Sequence, residues 1–534
     1  MSAVPATAPA PNTLPQPTDV PWLGLTAVLM GTFISTLNGR LSSFGLADVR
    51  GALHAGFDDG AWITTAQATA QMLVLPFAVW AGSIYGPRMV LIESALAFAI
   101  VSFLLPFSPN LPTFLTLQFI GGLASGCFIP LTLSFILRNM PPWMWAYGVA
   151  TYALNLELSL NIAASLEGWY DEHWSWRWIF WQNIPLALLM ALCLKLGLRT
   201  ASIQLTPVKD DWFGVLSCGV GLALIYAALD QGNRLDWLNS GLVWGLLLAG
   251  SVILVAFVVH ELTTPNPWLQ LDVVFGRPLI FLLVLVSFLR LVILSTSFLI
   301  PQYLGQVRGF RALEVGDTLI WIALPQLIIC PLTAIMLRRS DPRIAPTIGL
   351  CLIGTGCLMV AYGLTADWGS DEFLASQLIQ AVGQSMGLSG VVFFGVLYLK
   401  PEQALTFGGM LQIARVMGGE LGLAFVTTFN RQREQHASNL IGQHLERGAA
   451  DVLHRLQAYA TVAGQSGVPN LGGGAAILGR VVRSQATTQG VADSFLVIAL
   501  AIPFALSILL LLNPPPRGPA SHKPLFVRKQ GGAP

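Results

Sequence analysis

Five charged side chains lie well inside segments of this sequence that are otherwise apolar enough to cross a membrane. Three are basic, Arg40, Arg290 and Arg415, and two are acidic, Glu157 and Glu420. A charge inside a bilayer costs from about 3 to more than 10 kcal/mol, so such a residue normally faces an opposite charge or a wet cavity. Burial favours a protonated carboxyl group, whereas a nearby guanidinium favours the carboxylate. These residue types can therefore hold an anion or bind and release a proton.

The composition indicates a polytopic membrane protein. Of the 534 residues, 54% are hydrophobic and 10% are charged, whereas soluble domains contain roughly 25% charged residues. The net charge of +1 and the scattered basic residues provide no nucleic-acid surface. The cysteines lack metal-ligand spacing, and no set of nucleophile, base and orienting group is apparent. We therefore predict no cofactor, no metal and no enzymatic activity.

The long apolar windows give the number of membrane crossings. A spanning helix needs about 20 mostly apolar residues. The windows that qualify, about fourteen, lie at 22–46, 60–81, 88–106, 113–137, 143–167, 176–196, 212–229, 240–260, 278–300, 313–337, 343–363, 373–398, 405–430 and 491–513. An even number places both ends of the chain on one side.

The distribution of basic residues orients these windows. The short loops on the side opposite the termini hold only Arg50, Arg177, Arg234, Arg308 and Arg311, and the loops and tail on the termini's side hold many more. The positive-inside rule then places both termini in the cytoplasm and the long segment 431–490 outside, since long loops cross largely regardless of charge. Residues 1–20, rich in Ala and Pro, are predicted to be a disordered cytoplasmic tail.

Four local strings add a resemblance to a known family. They are SWRWIFWQNIP (175–185), ALDQGNRLDWLNS (228–240), LIPQYLGQVRGFRALEVG (299–316) and ARVMGGELGLAFVTTFNRQREQH (414–436). With the fourteen windows, they make the chain resemble the drug:proton antiporters of the major facilitator superfamily, specifically the fourteen-span EmrB/QacA-type exporters. The resemblance covers nearly the whole chain.

The resemblance implies an all-α polytopic membrane protein with the major facilitator fold. The expected parts are an N-terminal six-helix half (21–198), two inserted helices with their linkers (199–276), a C-terminal six-helix half (277–513) that includes the long loop 431–490, and a cytoplasmic tail (514–534). Secondary transporters are commonly built from repeats around a site near the membrane midplane.

The sequence departs from the family pattern at two charged positions. The first span carries Asn38 where the family has an acid, and the fourth carries Gln118 where it has an arginine. The signature after the second span survives only around Gly86 and Arg88, for which we expect a gating or structural role. Proton antiport through the usual residues is therefore not implied.

The remaining intramembrane charges are predicted to pair with each other. In the fold implied by the resemblance, the first span packs beside the fifth, and their repeat equivalents are the ninth and thirteenth. We therefore predict that Arg40 meets Glu157 and that Arg290 meets Glu420, with Glu157 as the first candidate for proton carrier and Glu420 as the second. The alternative is that the glutamates only neutralise structural arginines. For Arg415 we expect a structural contact with the neighbouring repeat.

Rows of amides mark further candidate cavity residues. Gln67 and Gln71 share one face of the second span, and Asn161 follows Glu157 by one helical turn. On the twelfth span, three amides repeat at i, i+3 and i+7, at Gln377, Gln380 and Gln384. In a bilayer such rows either hold helices together or line a passage, and the sequence leaves both open.

The long loop is predicted to contain an amphipathic helix, about 431–460, followed by the glycine-rich link SGVPNLGGG. In related exporters of double-membraned bacteria, the pump is joined by a periplasmic adaptor and an outer-membrane channel. The resemblance implies that this loop could be part of that contact.

These observations favour a secondary active exporter of the inner membrane that works by alternating access and draws on the proton gradient. The expected substrate is lipophilic, and two arginines facing a cavity favour an organic anion. The competing interpretation is a receptor or scaffold that kept the fold and lost transport, and among transporters a symporter or uniporter remains open.

Overall fold

The computed structural model describes residues 21–197, 211–265, 268–269, 276–399, 403–443, 445, 450–464 and 470–512. Across these residues the regular elements are helices, with no strand among them, so the predicted all-α class is confirmed. The predicted tails at 1–20 and 514–534 lie outside the described residues.

Fourteen long helical segments cross the bundle in the described part of the chain. Spans 1 to 14 are Trp22–Phe44, Trp62–Ile84, Pro87–Leu104, Leu111–Gly126 with Phe128–Asn139, Trp145–His173, Trp178–Trp181 with Asn183–Gly197, Trp212–Gly232, Gly241–Thr263, Arg277–Leu294 continued through Ile300–Tyr303 to Arg308, Ala312–Arg339, Ile344–Gly363, Ser370–Val396, Ala404–Gln443 and Leu471–Leu511. Eleven are individually apolar enough to span a membrane. Spans 2, 5 and 13 are as long but more polar, because they carry much of the buried polar chemistry described below.

The segment 431–490, predicted as a long loop with a helix over about 431–460, is largely helical in its described residues. Span 13 contains 40 residues and continues unbroken to Gln443, and span 14 contains 41 residues and begins at Leu471 rather than at 491. At 1.5 Å per residue each is about 60 Å long, roughly twice the hydrocarbon thickness. Both spans therefore extend beyond the membrane, and the helix Ala450–Ala463 packs on the extension of span 14.

The predicted glycine-rich link is replaced by a helix start. Residues 465–469 lie outside the described part, whereas Asn470 caps span 14 by accepting a hydrogen bond from the Gly473 backbone N–H. A Cβ atom on Gly474 would lie 2.7 Å from the backbone nitrogen of Ala460. These glycines therefore permit close helix packing rather than a flexible connection.

The bundle has two ends, which we call the terminal side and the loop side. The terminal side is the end that carries Trp22 and Leu511, and the loop side is the end from which spans 13 and 14 project.

Span 1 packs against span 5 and span 9 against span 13, which confirms those two predicted neighbours. Span 7 of the inserted pair packs against spans 2 and 8 and also touches span 13. The predicted domain boundaries stay a prediction.

Small residues bring the six-helix groups together at both ends. On the loop side, spans 5 and 10 approach so closely that a Cβ on Gly316 would lie 2.6 Å from the Ser165 backbone nitrogen. On the terminal side, Gly408 of span 13 faces the Pro130 carbonyl of span 4, and Gly409 faces Val79 of span 2. The polar centre described next therefore lies between two closed ends.

Candidate functional site

The middle of the bundle contains polar and charged side chains that are almost completely buried. Glu157 is 0% exposed, Glu420 5% and Arg415 6%. Charges buried this deeply in a membrane protein are expensive and therefore mark functional positions. Spans 1, 5, 9, 12 and 13 supply most of the predicted site residues, and spans 2 and 4 supply further amides.

Arg40 does not form the predicted ion pair with Glu157. Its Nη2 donates a hydrogen bond to the Ser297 carbonyl oxygen of span 9, and its guanidinium lies 5.1 Å from the centre of the Phe44 ring. Ser297 belongs to a π-helical turn, Ser295–Leu299, where the regular hydrogen-bond ladder is interrupted. The hydrogen-bond acceptor of Arg40 is thus a carbonyl oxygen in this irregular backbone and not the predicted carboxylate. Arg40 thereby links the N-terminal helices to span 9.

Arg290 does not form the predicted ion pair with Glu420 either; no such pair occurs among the salt bridges of the described residues. Its side chain runs along span 13 beside Gly419, where a Cβ would lie 3.6 Å from Nε. The carboxyl group whose charge acts on Arg290 is Glu157. Arg290 therefore lies near Glu157 instead of Glu420, because Glu420 faces span 7.

Glu157 is surrounded by positive charge without a direct salt bridge. Arg290 and Arg415 both act electrostatically on its carboxyl group, and neither of its carboxyl oxygens has a hydrogen-bond partner among the described residues. Asn161, predicted to share its stripe, is 1% exposed and donates to the Glu157 backbone carbonyl at 2.8 Å. Glu157 therefore combines deep burial with free oxygens, as a group that exchanges protons requires.

The central layer contains more positive than negative charge. Arg40 and Arg415 each interact electrostatically with Arg290, and Glu157 is the carboxyl group that acts on this arginine cluster. We call Arg40, Arg290, Arg415 and Glu157 the central charge cluster. Two guanidinium groups act on one carboxyl group, and the third interacts with Arg290, so the surplus of positive charge creates an environment that attracts an anion.

Glu420 belongs to a second cluster that the sequence did not predict. Its carboxyl group interacts with the Tyr226 hydroxyl and with the charge of Asp230, both on span 7. Asp230 lies within the string ALDQGNRLDWLNS, so its charge was visible in the sequence. The sequence does not show which helices the inserted pair contacts. The site therefore includes one of the two inserted spans.

The two positions that depart from the family pattern are both buried amides. Asn38 is 2% exposed and accepts a hydrogen bond of 2.7 Å from the Asn183 amide of span 6. Gln118 is 1% exposed, and its Nε2 has no partner among the described residues. Asn38 thus connects two helices of one half, whereas Gln118 leaves a free donor inside span 4.

Some amides of the predicted rows hold helices together, and others have unpaired polar atoms that can line a passage. Gln71 donates to Ser125 at 3.1 Å, and Gln380 and Gln384 are hydrogen-bonded to Ser295 and Thr296 of span 9 at 2.9 and 2.8 Å. By contrast, the Nε2 atoms of Gln67 and Gln377 have no partner among the described residues. The paired amides hold helices together, and the unpaired ones are available to a ligand or water.

The sequence patterns did not identify Gln326 of span 10 as a site residue. It is 0% exposed, and neither amide atom has a partner among the described residues. A single glutamine after Pro325, in an otherwise apolar window, gave no periodic signal. Its free amide adds a hydrogen-bonding group from the span that faces Glu157's helix.

Gly86 and Arg88 connect spans 3 and 6 on the terminal side. Arg88 donates to the carbonyls of Leu194 and Lys195 at 3.3 and 3.0 Å, and Gly86 has a φ of +83°. Most side chains are strained in this region of backbone conformation, by about 1–3 kcal/mol.

We expect Gly86→Ala to destabilise the protein by about 1–3 kcal/mol because alanine must adopt that strained backbone. Thermal unfolding in detergent, followed by fluorescence, checks this. Gly245→Ala is the matched control, since Gly245 has an ordinary helical backbone with open space around it. Equal unfolding temperatures for the two variants would contradict the prediction.

Three comparisons place this site among known proteins. The sequence model of the family described as Major Facilitator Superfamily matches residues 28–423. The probable multidrug resistance protein EmrY of Escherichia coli strain K12 is 25% identical over 432 residues, which cover 78% of this chain and 82% of that protein. The fatty acid resistance protein FarB of Neisseria gonorrhoeae is 23% identical over 502 residues, which cover 92% of this chain and 96% of that protein.

The fold has solved counterparts. The crystal structure of the human organic anion transporter MFSD10 superposes with a TM-score of 0.54 at 14% sequence identity, and the match covers 91% of this chain and 100% of that one. At this identity the likeness concerns the fold alone. It is the fold in which two helix groups enclose a central site.

Proposed function

This chain belongs to the Major Facilitator Superfamily, and on that premise we propose that it is a secondary active exporter of lipophilic drugs or organic anions, driven by protons and working by alternating access. Relatives that match most of the chain are named for multidrug resistance and fatty acid resistance. The central charge cluster is the observation that carries the proposal, because it places a free carboxyl group among guanidiniums between two closed ends.

Glu157 is proposed to carry the proton, with Glu420 as the second acidic group. A lipophilic cation, or a drug that donates hydrogen bonds, needs the Glu157 carboxylate as its partner. Protonation removes that partner, so proton and substrate exclude each other and exchange across the membrane. This is antiport, and it follows from one carboxyl group serving both ligands.

An organic anion would use the cluster differently, and the surplus of positive charge favours it as a second substrate class. Its acidic group would compete with Glu157 for Arg290 and Arg415, so a proton on Glu157 would strengthen its binding. Proton and anion would then move in the same direction, as in a symporter, so the proton gradient drives export of cations but not of anions. The direction of proton movement therefore reports the charge of the substrate.

We expect Arg40→Ala and Arg290→Ala to reduce transport of a fluorescent sulfonate, 8-anilinonaphthalene-1-sulfonate, by about 10- to 150-fold, because each removes a charge-assisted contact of about 1.5–3 kcal/mol. Uptake into everted membrane vesicles measures this. Arg480→Ala, at an exposed position on the extension of span 14, is the control. Unchanged sulfonate transport in both variants, with ethidium still moving, would refute the anion assignment.

The proposed location is the inner membrane, with both termini in the cytoplasm and the loop side in the periplasm. The partners would be protons, a small lipophilic or anionic substrate and the lipid bilayer. The projecting parts of spans 13 and 14 supply a helical surface beyond the membrane. A periplasmic adaptor and an outer-membrane channel are proposed to dock there.

A further inference from the structure

Three polar side chains form a line along one face of span 7. Tyr226 and Asp230 lie one helical turn apart on span 7, and Arg234 follows in the turn after the last residue of the helix, Gly232. Tyr226 is the innermost and is 8% exposed, whereas Arg234 lies at the loop-side end of the helix. The line therefore runs from the loop-side surface toward the bundle centre.

Hydrogen bonds make the outer part of this line continuous. Asp230 accepts a hydrogen bond from the Thr65 hydroxyl of span 2 and another from Gln231 Nε2 at 2.9 Å. Gln231 Oε1 accepts from Arg234 Nε at 2.6 Å, and Arg234 forms a 2.9 Å salt bridge with Asp58. The Asp58 side chain is 81% exposed, so this end of the line meets water.

The inner end of the line reaches the proposed transport site. The Tyr226 hydroxyl interacts with Glu420 and lies within electrostatic range of Arg290. Glu420 Oε1 has no hydrogen-bond partner among the described residues, although the residue is 5% exposed. A buried carboxyl oxygen that is free to accept a proton thus terminates the line.

We propose that protons enter the centre of the protein from the loop side along span 7, through Asp230, Tyr226 and Glu420. Asp230 takes a proton from water at the loop-side surface. Its carboxylic acid then donates that proton to the Tyr226 oxygen while the Tyr226 O–H proton moves to the Glu420 carboxylate, which leaves Asp230 ionised again. This inference rests on the proton coupling proposed above and gives the inserted spans a function.

The loop that follows span 7 holds the line against span 13. Trp237 Nε1 donates to Thr428 at 3.0 Å, and Arg431 donates to the Asn233 carbonyl and to Asp236, each at 3.2 Å. Hydrogen bonds from Asn239 and then Arg431 lower the pKa of Asp236, so this anchor stays ionised as the pH falls. These contacts keep Tyr226 opposite Glu420 while the loop side is closed.

Several charged groups can influence the titration of Asp230 and Glu420. Arg234, itself paired with Asp58, acts on Asp230; Asp230 acts on Glu420; and Arg290 acts on Tyr226 between them. The cations lie at the two ends of the line, and the two carboxyl groups lie between them. A single proton on Asp230 or Glu420 relieves the repulsion between the two carboxylates, which favours its retention in the line.

Asp230→Asn and Tyr226→Phe test the route, because each keeps the size of the side chain and removes the group that carries the proton. We expect proton-driven ethidium uptake into everted vesicles to slow by at least about tenfold, since positioned proton transfer contributes that much or more. Exchange of ethidium across the same membranes, which needs no net proton movement, should stay at the wild-type rate. Asp59→Asn, an exposed neighbour of Asp58, should change neither rate.

The outcomes separate this route from the function on which it rests. If wild-type vesicles release no protons when ethidium is added, the proposed function fails. If the wild type is coupled but Asp230→Asn and Tyr226→Phe transport at its rate, only the route is wrong. If exchange falls together with proton-driven uptake, the two residues have a structural role and the route is also wrong, whereas recovery of uptake in Asp230→Glu supports it.

Discussion

Everted vesicles that contain the Glu157→Gln variant are expected to lose proton-driven accumulation of ethidium completely. Exchange of one ethidium for one proton is electroneutral, so a gradient of one pH unit supports about tenfold accumulation. Glutamine is similar in size to glutamate but binds no proton in this pH range. A site without differential proton binding cannot transmit the gradient, and the accumulation ratio should fall to about 1.

Two measurements make this expectation specific to proton carriage. Downhill transport of the sulfonate should persist in Glu157→Gln, because glutamine resembles the protonated carboxyl group that leaves Arg290 and Arg415 to the anion, whereas ethidium also loses its carboxylate partner. Glu157→Asp should keep part of the accumulation because it keeps a carboxyl group. If Glu157→Gln still accumulates ethidium about tenfold, Glu157 is not the proton carrier and the assignment passes to Glu420.

The Gly316→Leu variant is expected to open the loop side and stop turnover. A Cβ at this position already lies 2.6 Å from the backbone nitrogen of Ser165, and backbone atoms cannot move aside as a flexible side chain can. Overpacking of this kind costs about 1–3 kcal/mol or more, which shifts the ratio of closed to open molecules by about 5- to 150-fold. Alternating access needs both conformations, so transport should fall in proportion.

Spin labels at positions 172 and 317, at the loop-side ends of spans 5 and 10, measure this opening by pulsed electron resonance in a background without native cysteines. We expect the distance between the labels to increase in Gly316→Leu. Gly245→Leu is the matched control because a Cβ at Gly245 meets no atom within 4 Å. An unchanged distance distribution in Gly316→Leu would show that spans 5 and 10 tolerate the extra volume and do not control closure.

The spans themselves were predictable because their signal is local. Apolar windows of the right length identified all fourteen helical crossings found in the described residues. The exceptions concerned ends: the extension of span 13 to Gln443 and the early start of span 14 are polar helix, which a hydropathy window does not register. The neighbours of spans 1 and 9 came from the resemblance, and the structure confirms them.

The partners of the arginines were not predictable from depth and neighbouring helices. Residues on a helix are separated by about 100° of rotation, so a small change in helix orientation replaces one partner by another. Arg40 found a backbone carbonyl in a π-helical turn, and a hydropathy pattern carries no information about such turns. Arg290 lies near Glu157 because Glu420 is directed toward span 7.

The sequence alone determined which residues are too expensive to leave in lipid: three arginines and two glutamates in apolar windows require polar surroundings wherever the helices are placed. Only the tertiary structure decided what those surroundings are. It placed Arg290 and Arg415 near Glu157, bound Arg40 to a backbone carbonyl, and directed Glu420 toward Tyr226 and Asp230. The physical reason is that the cost of burying a charge is a property of the residue, whereas its compensation depends on helix rotation and on the lateral order of the helices.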